Sequence, residues 1–155
     1  MTGPAPEMSP TPPRPDICNC LAIRKAARHV SQFYDRHLAP TGLRTTQFSI
    51  LARLQRRGPS TINELAADLV MDRTTLGRNL GPLERDGLVA IAVDPKDRRG
   101  RVLSVTAEGA ARLASARERW SAAQRGFEAA FGAPQAAALR QTLASLVATD
   151  LGTQP

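Results

Sequence analysis

The stretch from Thr61 to Val105 limits the possible folds more than any other part of this 155-residue chain. Thr61-Ile62-Asn63-Glu64 has the spacing of a capping box, in which a hydroxyl and a carboxylate each satisfy an orphan backbone amide. A short helix follows, with Leu65 and Leu69 inward. After the apolar pair Val70-Met71, Asp72 can cap a second helix whose Leu76, Leu80 and Leu83 recur at helical spacing. Gly87 ends that helix. Two β-branched runs, Leu88 to Val93 and Val102 to Val105, then flank a charged tip running from Asp94 to Arg101. Helix, tight turn, helix and basic hairpin in this order make a winged helix-turn-helix. Such a unit sets one helix and one hairpin side by side, spaced for neighbouring grooves of a duplex.

The rest of the chain reads as helix. Asp16 is a good N-cap for a helix reaching Leu38, with apolar residues at Ile17, Leu21, Ile23, Val30, Phe33 and Tyr34. That stripe is wide enough to be covered on two sides, and Pro40 and Gly42 end it. Thr45 or Thr46 can cap a helix to Arg57, with Phe48, Ile50, Leu51 and Leu54 inward. Gly81 and Pro82 fall inside the second helix of the winged unit, where proline removes one amide bond and should kink it or loosen its end. Thr106-Ala107-Glu108 opens a long helix to about Ala130 that carries Leu113, Trp120 and Phe127. Gly132 breaks it, and Pro134 suits the first turn of a last helix with Leu139, Leu143, Leu146 and Val147 inward. The expected fold class is mainly α with a small β-wing: a Pro-rich disordered arm over 1–15, dimerisation helices over 16–40 and 106–150, and a winged helix-turn-helix over 41–105. Helices with wide apolar faces and no sheet to cover are most simply buried against a second copy. The alternative is a compact monomer that folds them over its own wing.

Composition narrows the class further. The formal net charge is +7, and 19 of the 21 cations are Arg, whose planar fork suits phosphates and guanine edges. No apolar run approaches the roughly 18 residues of a membrane span, and the first residues lack the basic and apolar regions of a signal peptide. The sole cysteines, Cys18 and Cys20, are too close for an unstrained bridge, so no disulfide framework is implied and a reducing cytoplasm is expected. No cofactor is expected and no metal-ligand set is present. Enzyme chemistry is not expected either: there is no glycine-rich phosphate loop, no HExxH and no GxSxG.

The candidate DNA-contact residues lie opposite Leu76, Leu80 and Leu83. They are Arg73, Thr74, Thr75, Gly77, Arg78 and Asn79. Arg can fork onto guanine, Asn can pair with adenine, and Thr can offer a hydroxyl or meet a thymine methyl. Gly77 costs about 1 kcal/mol against alanine inside a helix, which points to close approach by DNA or a neighbouring helix. At the hairpin tip, Lys96, Arg98, Arg99 and Arg101 suit a narrow minor groove, while Asp97 is expected to pair with a nearby Arg and stiffen the tip. A solvated charged turn is the alternative for both segments. A nonspecific architectural DNA-binding protein and a protein-interaction module are the rival functions. The Asn79, Thr74 and Thr75 set beside Arg73 and Arg78 argues against the first, and the concentrated tip arginines against the second.

Over about residues 20–148 the chain resembles the multiple antibiotic resistance regulator (MarR) family of bacterial transcription factors. The resemblance rests on Leu38-Ala39-Pro40 with Gly42-Leu43, Gln47-Phe48, Asn63-Glu64-Leu65-Ala66, and Asp72 to Leu76 with Arg78. It continues through Leu83 to Val89, Asp94-Pro95 with Asp97-Arg98-Arg99, and Leu103 to Thr106 with Glu108-Gly109. It implies a homodimer on a pseudo-palindromic double-stranded DNA operator. Such a protein represses transcription and is released by a small aromatic acid or phenol, or by cysteine oxidation. Three positions depart from the family pattern: Arg44 where a Thr cap is common, Val70 where Gly often gives the turn its geometry, and Lys96 where Arg is frequent. The resemblance places an effector between the dimer helices and the winged unit. The candidates there are Arg24, His29, Phe33, Tyr34, His37, Phe48 and Trp120, each of which can equally be an ordinary core or surface residue. Cys18 and Cys20, at the start of a helix, are the candidates for a redox trigger; the bland reading makes them two small space-filling residues.

Overall fold

The computed structural model describes residues 14–152, so the Pro-rich arm expected over 1–15 lies outside the described residues except for its last two positions. The elements are α1 (Asn19–Leu38), α2 (Thr45–Arg57), β1 (Ser60–Thr61), α3 (Ile62–Asp68), α4 (Arg73–Arg85), β2 (Val89–Val93), β3 (Arg101–Val105), α5 (Ala107–Phe131) and α6 (Ala133–Ala148). No described helix is long and apolar enough to cross a membrane.

α1 starts later than expected. Pro15–Ile17 is a 3-10 turn in which Asp16 is ion-paired with Arg14 at 3.2 Å. Cys18 takes over the N-cap, its Sγ accepting the Leu21 N–H at 3.4 Å. Neither threonine caps α2, because Thr45 is already its first helical residue and Arg44 is the cap. Two borrowed acceptors serve that end: Gln47 Oε1 takes the Arg44 N–H at 3.0 Å, and Asp35 Oδ1 on α1 takes the Thr45 N–H at 2.7 Å. α4 passes through Pro82 without interruption, and its last turn is closed by the Asp86 N–H on the Pro82 carbonyl at 2.9 Å.

The core is a leucine cluster at the meeting of α2, α3, α4 and the sheet. Leu38, Ile50, Leu51, Leu76, Leu83, Leu88, Leu103 and Leu113 are all fully buried. Each such side chain contributes about 1.5–3 kcal/mol over its exposed state. The sheet has the order β1-β3-β2, both pairings antiparallel, with Ile91 opposite Leu103 and Ser60 opposite Leu103 on the other side. β1 was not foreseen: two residues have no periodicity of their own and become a strand only because β3 offers its free edge.

α6 also departs from expectation. Its one buried residue is Ala136, while Leu139, Leu143, Leu146 and Val147 are 36–65% exposed in the single chain. Ile17 of the 3-10 turn, Leu21 and Ile23 of α1, and Phe131 of α5 are also large apolar residues left exposed.

Candidate nucleic-acid interface and effector cavity

α3 is seated by the foreseen capping box. Glu64 Oε2 accepts the Thr61 N–H at 2.7 Å and its hydroxyl at 2.9 Å, and the Glu64 N–H returns to Thr61 Oγ1 at 3.2 Å. The Thr61 amide, then its hydroxyl, holds the Glu64 carboxyl below its ordinary range. A second tie was not foreseen. Asp68, at the end of α3, meets two arginines one turn apart on α2: Arg57 at 3.0 Å from Oδ1, and Arg53 Nε at 3.2 Å from Oδ2, the latter without the alignment of a hydrogen bond. The i,i+4 spacing of the two arginines was the available signal.

The turn between α3 and α4 is closed by the Met71 N–H on the Ala66 carbonyl at 2.8 Å. Val70 adopts φ +51° there, the left-handed conformation that glycine takes at low cost. The turn therefore keeps the glycine-like geometry despite the departure from the family pattern, and a β-branched residue that is 70% exposed carries the strain.

Asp72 caps α4, accepting the Thr75 hydroxyl at 2.6 Å and the Thr75 N–H at 2.8 Å. These bonds, the hydroxyl first, hold its carboxyl below the usual carboxylate range. Asn79 Nδ2 donates to the Thr75 carbonyl at 2.9 Å. Thr75 and Asn79 are thus partly engaged within the helix. Arg73, Thr74 and Arg78 are exposed and have no side-chain partner among the described residues. A Cβ added at Gly77 would meet nothing within 4 Å, which removes a neighbouring helix of this chain as the reason for glycine there.

The hairpin tip from Asp94 to Gly100 is a pair of side-chain-closed turns. Asp94 Oδ1 accepts the Lys96 N–H at 2.8 Å, Asp97 Oδ1 accepts the Arg99 N–H at 2.9 Å, and the Gly100 N–H closes on the Asp97 carbonyl at 2.8 Å. Asp97 therefore stiffens the tip through the backbone, not by the expected arginine pairing. Lys96, Arg98, Arg99 and Arg101 remain exposed and join no ion pair among the described residues.

The effector candidates divide between two cavities. Tyr34 and Trp120 line one of about 610 Å³ between α1, α5 and α6, and Phe48 stacks on Trp120 from outside it, with ring centres 5.9 Å apart and planes within 10°. His29 and Phe33 line the other, about 240 Å³, with Arg36 and Phe131. His37 packs on the Phe33 ring at 4.7 Å and its Nδ1 lies 3.0 Å from the Phe33 carbonyl oxygen. Arg24 borders neither cavity. The larger cavity instead draws on residues that sequence reasoning passed over, Gln124 and Arg140. The Tyr34 hydroxyl donates to Gln124 Oε1 at 2.6 Å, and burial, then the nearby Glu128 carboxylate, pushes its phenol above its ordinary pKa.

Comparison with known proteins agrees with this architecture. A model of the MarR family matches residues 41–100, from the first turn after α1 to the hairpin tip. The transcriptional regulator MosR of M. tuberculosis, solved in complex with DNA, is 41% identical and superposes with a TM-score of 0.74 over 84% of this chain and 93% of MosR. The transcriptional repressor CouR, solved on a 23-mer duplex, is 27% identical with a TM-score of 0.75 over 84% of this chain and 93% of CouR. The transcriptional activatory protein BadR of Rhodopseudomonas palustris is 35% identical over 99 residues, 61% of this chain. The chain spans 55–58% of the length of the curated relatives it matches. The capped helix-turn-helix, the three-stranded wing and the long flanking helices, together with the near-complete match to MosR, establish that the chain belongs to the MarR family of transcriptional regulators.

Proposed function

We propose that the protein is a homodimeric, sequence-specific regulator of transcription that binds a pseudo-palindromic double-stranded DNA operator as a repressor and is released by a small aromatic or phenolic effector. One observation carries this reading. The outer face of α4 and the hairpin tip expose Arg73, Arg78, Lys96, Arg98, Arg99 and Arg101, none of which joins an ion pair among the described residues, while their backbones are braced by the Asp72, Asp94 and Asp97 turns. Free cations on a preorganised frame are what phosphates and base edges require. The exposed large apolar residues of α1, α5 and α6 support the dimer, since burying them against a second copy is stabilising. Relatives supply both signs of control, CouR being a repressor and BadR an activatory protein, and the repressor reading follows the structural match to CouR.

Sedimentation equilibrium tests the dimer, and fluorescence anisotropy across a salt series tests the DNA reading. We expect two chains per particle and a falling log affinity with log salt. Monomers with no affinity for duplex DNA would overturn the proposal. A thiol switch is the second reading, favoured by Cys18 acting as the N-cap of α1 through its Sγ. Oxidation of that sulfur would remove the cap. Replacing Cys18 and Cys20 with Ser should then abolish peroxide-induced release, whereas retained release would assign the thiols a structural role.

A further inference from the structure

The wing hairpin is held at two places. At its base, β2 leaves α4 through one left-handed residue, Gly87 at φ +70°, with the Leu88 N–H on the Leu83 carbonyl at 2.8 Å. The Thr106 N–H returns to the Leu88 carbonyl at 3.1 Å. Nearer the tip, the hairpin is held from the side by β1, whose two residues pair with β3 as Ser60 opposite Leu103 and Thr61 opposite Val102. Val102 follows Arg101, which pairs with Val93 where the tip begins. Among the described residues, Thr61 is thus the strand partner from outside the hairpin that lies nearest the tip cations.

A strand of two residues is too short to hold a register by itself. What fixes Thr61 is its second role as the N-cap of α3. Glu64 Oε2 takes both its N–H, at 2.7 Å, and its hydroxyl, at 2.9 Å. One residue therefore belongs to the sheet and to the helix-turn-helix at once, and one carboxylate clamps it. The Thr61 amide and hydroxyl lower the Glu64 carboxyl most, and Arg57 and then Lys96 of the tip add to them, so this exposed carboxylate lies within electrostatic reach of the tip. A negative charge beside a surface that meets phosphates opposes binding. Its presence there needs a compensating role.

We infer that Thr61 and Glu64 are positioning residues for DNA binding: their capping box fixes β1, β1 fixes the tilt of the hairpin, and the tilt sets the distance from the tip cations to the outer face of α4. Neither residue contacts the duplex. The inference rests on the reading of the protein as a DNA-binding regulator and assigns what keeps its two contact elements in register.

Glu64→Gln and Glu64→Ala remove the same charge, but glutamine still accepts the Thr61 N–H and alanine cannot. Their comparison isolates the box from the charge. The probe is a duplex selected by the wild-type chain from a random library, read by anisotropy at low salt. A cap is worth about 1 kcal/mol, so an undocked hairpin should lower the affinity of the alanine variant by up to about fivefold relative to the glutamine variant. That ratio should persist in an Arg78→Ala background. It should vanish when Arg98 and Arg99 are both replaced by alanine, because a hairpin without its tip arginines gains nothing from being docked. Hydrogen exchange reads the same docking without DNA: the amides of Arg101–Val105 should exchange faster in Glu64→Ala than in Glu64→Gln, with those of α5 unchanged. Glu64→Asp, which keeps the charge and loses the reach, should match alanine in this exchange. Equal affinities of the alanine and glutamine variants, a ratio that survives loss of the tip arginines, or equal exchange in β3 would each overturn the inference. Any of these results with wild-type binding intact would leave the DNA reading in place, whereas a wild-type chain that selects and binds no duplex would overturn both.

Discussion

Gly109 sits at the junction that joins the wing to the long terminal helix, and replacing it with alanine tests how that junction is built. A Cβ at this position would fall inside the van der Waals envelope of the Leu88 carbonyl oxygen, 2.9 Å from the Leu88 carbonyl carbon and 3.0 Å from Val105 Cγ1. To restore an ordinary carbon–oxygen contact of about 3.3–3.6 Å, α5 must withdraw by roughly 1.5 Å. Three hydrogen bonds organise this point: the Thr106 N–H on Leu88 O at 3.1 Å and the Thr106 hydroxyl on Gly87 O at 2.6 Å join the two parts, and the Gly109 N–H on Thr106 Oγ1 at 3.0 Å caps α5. Overpacking of a tight site costs about 1–3 kcal/mol. Losing two of the three bonds adds about 1 kcal/mol each, and alanine's better helix propensity returns about 1 kcal/mol. The net expectation for Gly109→Ala is a loss of about 2–4 kcal/mol, read from urea unfolding by linear extrapolation with an unchanged slope. A loss below about 1 kcal/mol would refute the reasoning, because it would mean that α5 and β2 do not approach this closely.

Three further outcomes are expected. Arg78→Ala should cost roughly 1–3 kcal/mol in operator affinity and relax specificity at one base position, measured by anisotropy on single-base operator variants; equal weakening on every sequence would place Arg78 on phosphate instead. Val70→Gly should stabilise the chain by on the order of 0.5–1 kcal/mol in urea unfolding, since it relieves about 1–2 kcal/mol of left-handed strain against about 0.4–1 kcal/mol of extra unfolded-state entropy, with little burial lost from a residue 70% exposed; a loss of stability would contradict the strained turn. Glu64 and Asp72 both have carboxyls held below their ordinary range in the folded chain, so their caps stabilise it fully above the unfolded carboxylate pKa. That stabilisation is lost as pH falls through the folded values. A Glu64→Gln, Asp72→Asn double variant should therefore show a flatter fall of urea midpoint with acidification, and a parallel pair of curves would show that the caps do not titrate with folding.

What was legible in the sequence was what is decided within a few residues. Thr61 with Glu64, Asp72 before Leu76, and Thr106 before the long helix are local capping choices, and all three stand where the pattern placed them. The errors came from competition at a distance. Asp16 is a better cap than Cys18 by residue type, but its carboxylate is occupied by Arg14 in the preceding turn. Thr45 looks like a cap until Asp35, ten residues away on α1, supplies the acceptor. β1 exists through pairing with β3, some forty residues later, and Asp68 finds its arginines on another helix. The cavity was the least legible part. Its space is made by small residues such as Ala26 and Ala27, and its charge comes from Arg140 on the last helix, while the more conspicuous aromatic and histidine residues divided between two places.

The central proposal, that two copies present the Asp72-to-Asn79 segment and the hairpin tip to one duplex, is tested most directly by selecting binding sites from a random duplex library with the purified full chain and footprinting the winning sequence. The account predicts an inverted repeat whose half-sites are centred one helical turn of about 10 base pairs, or a multiple of it, apart. It also predicts that the repeat loses its consensus when Arg73 and Arg78 are replaced by alanine. Enrichment of no common sequence, or of a single unrepeated site protected by one chain, would contradict it.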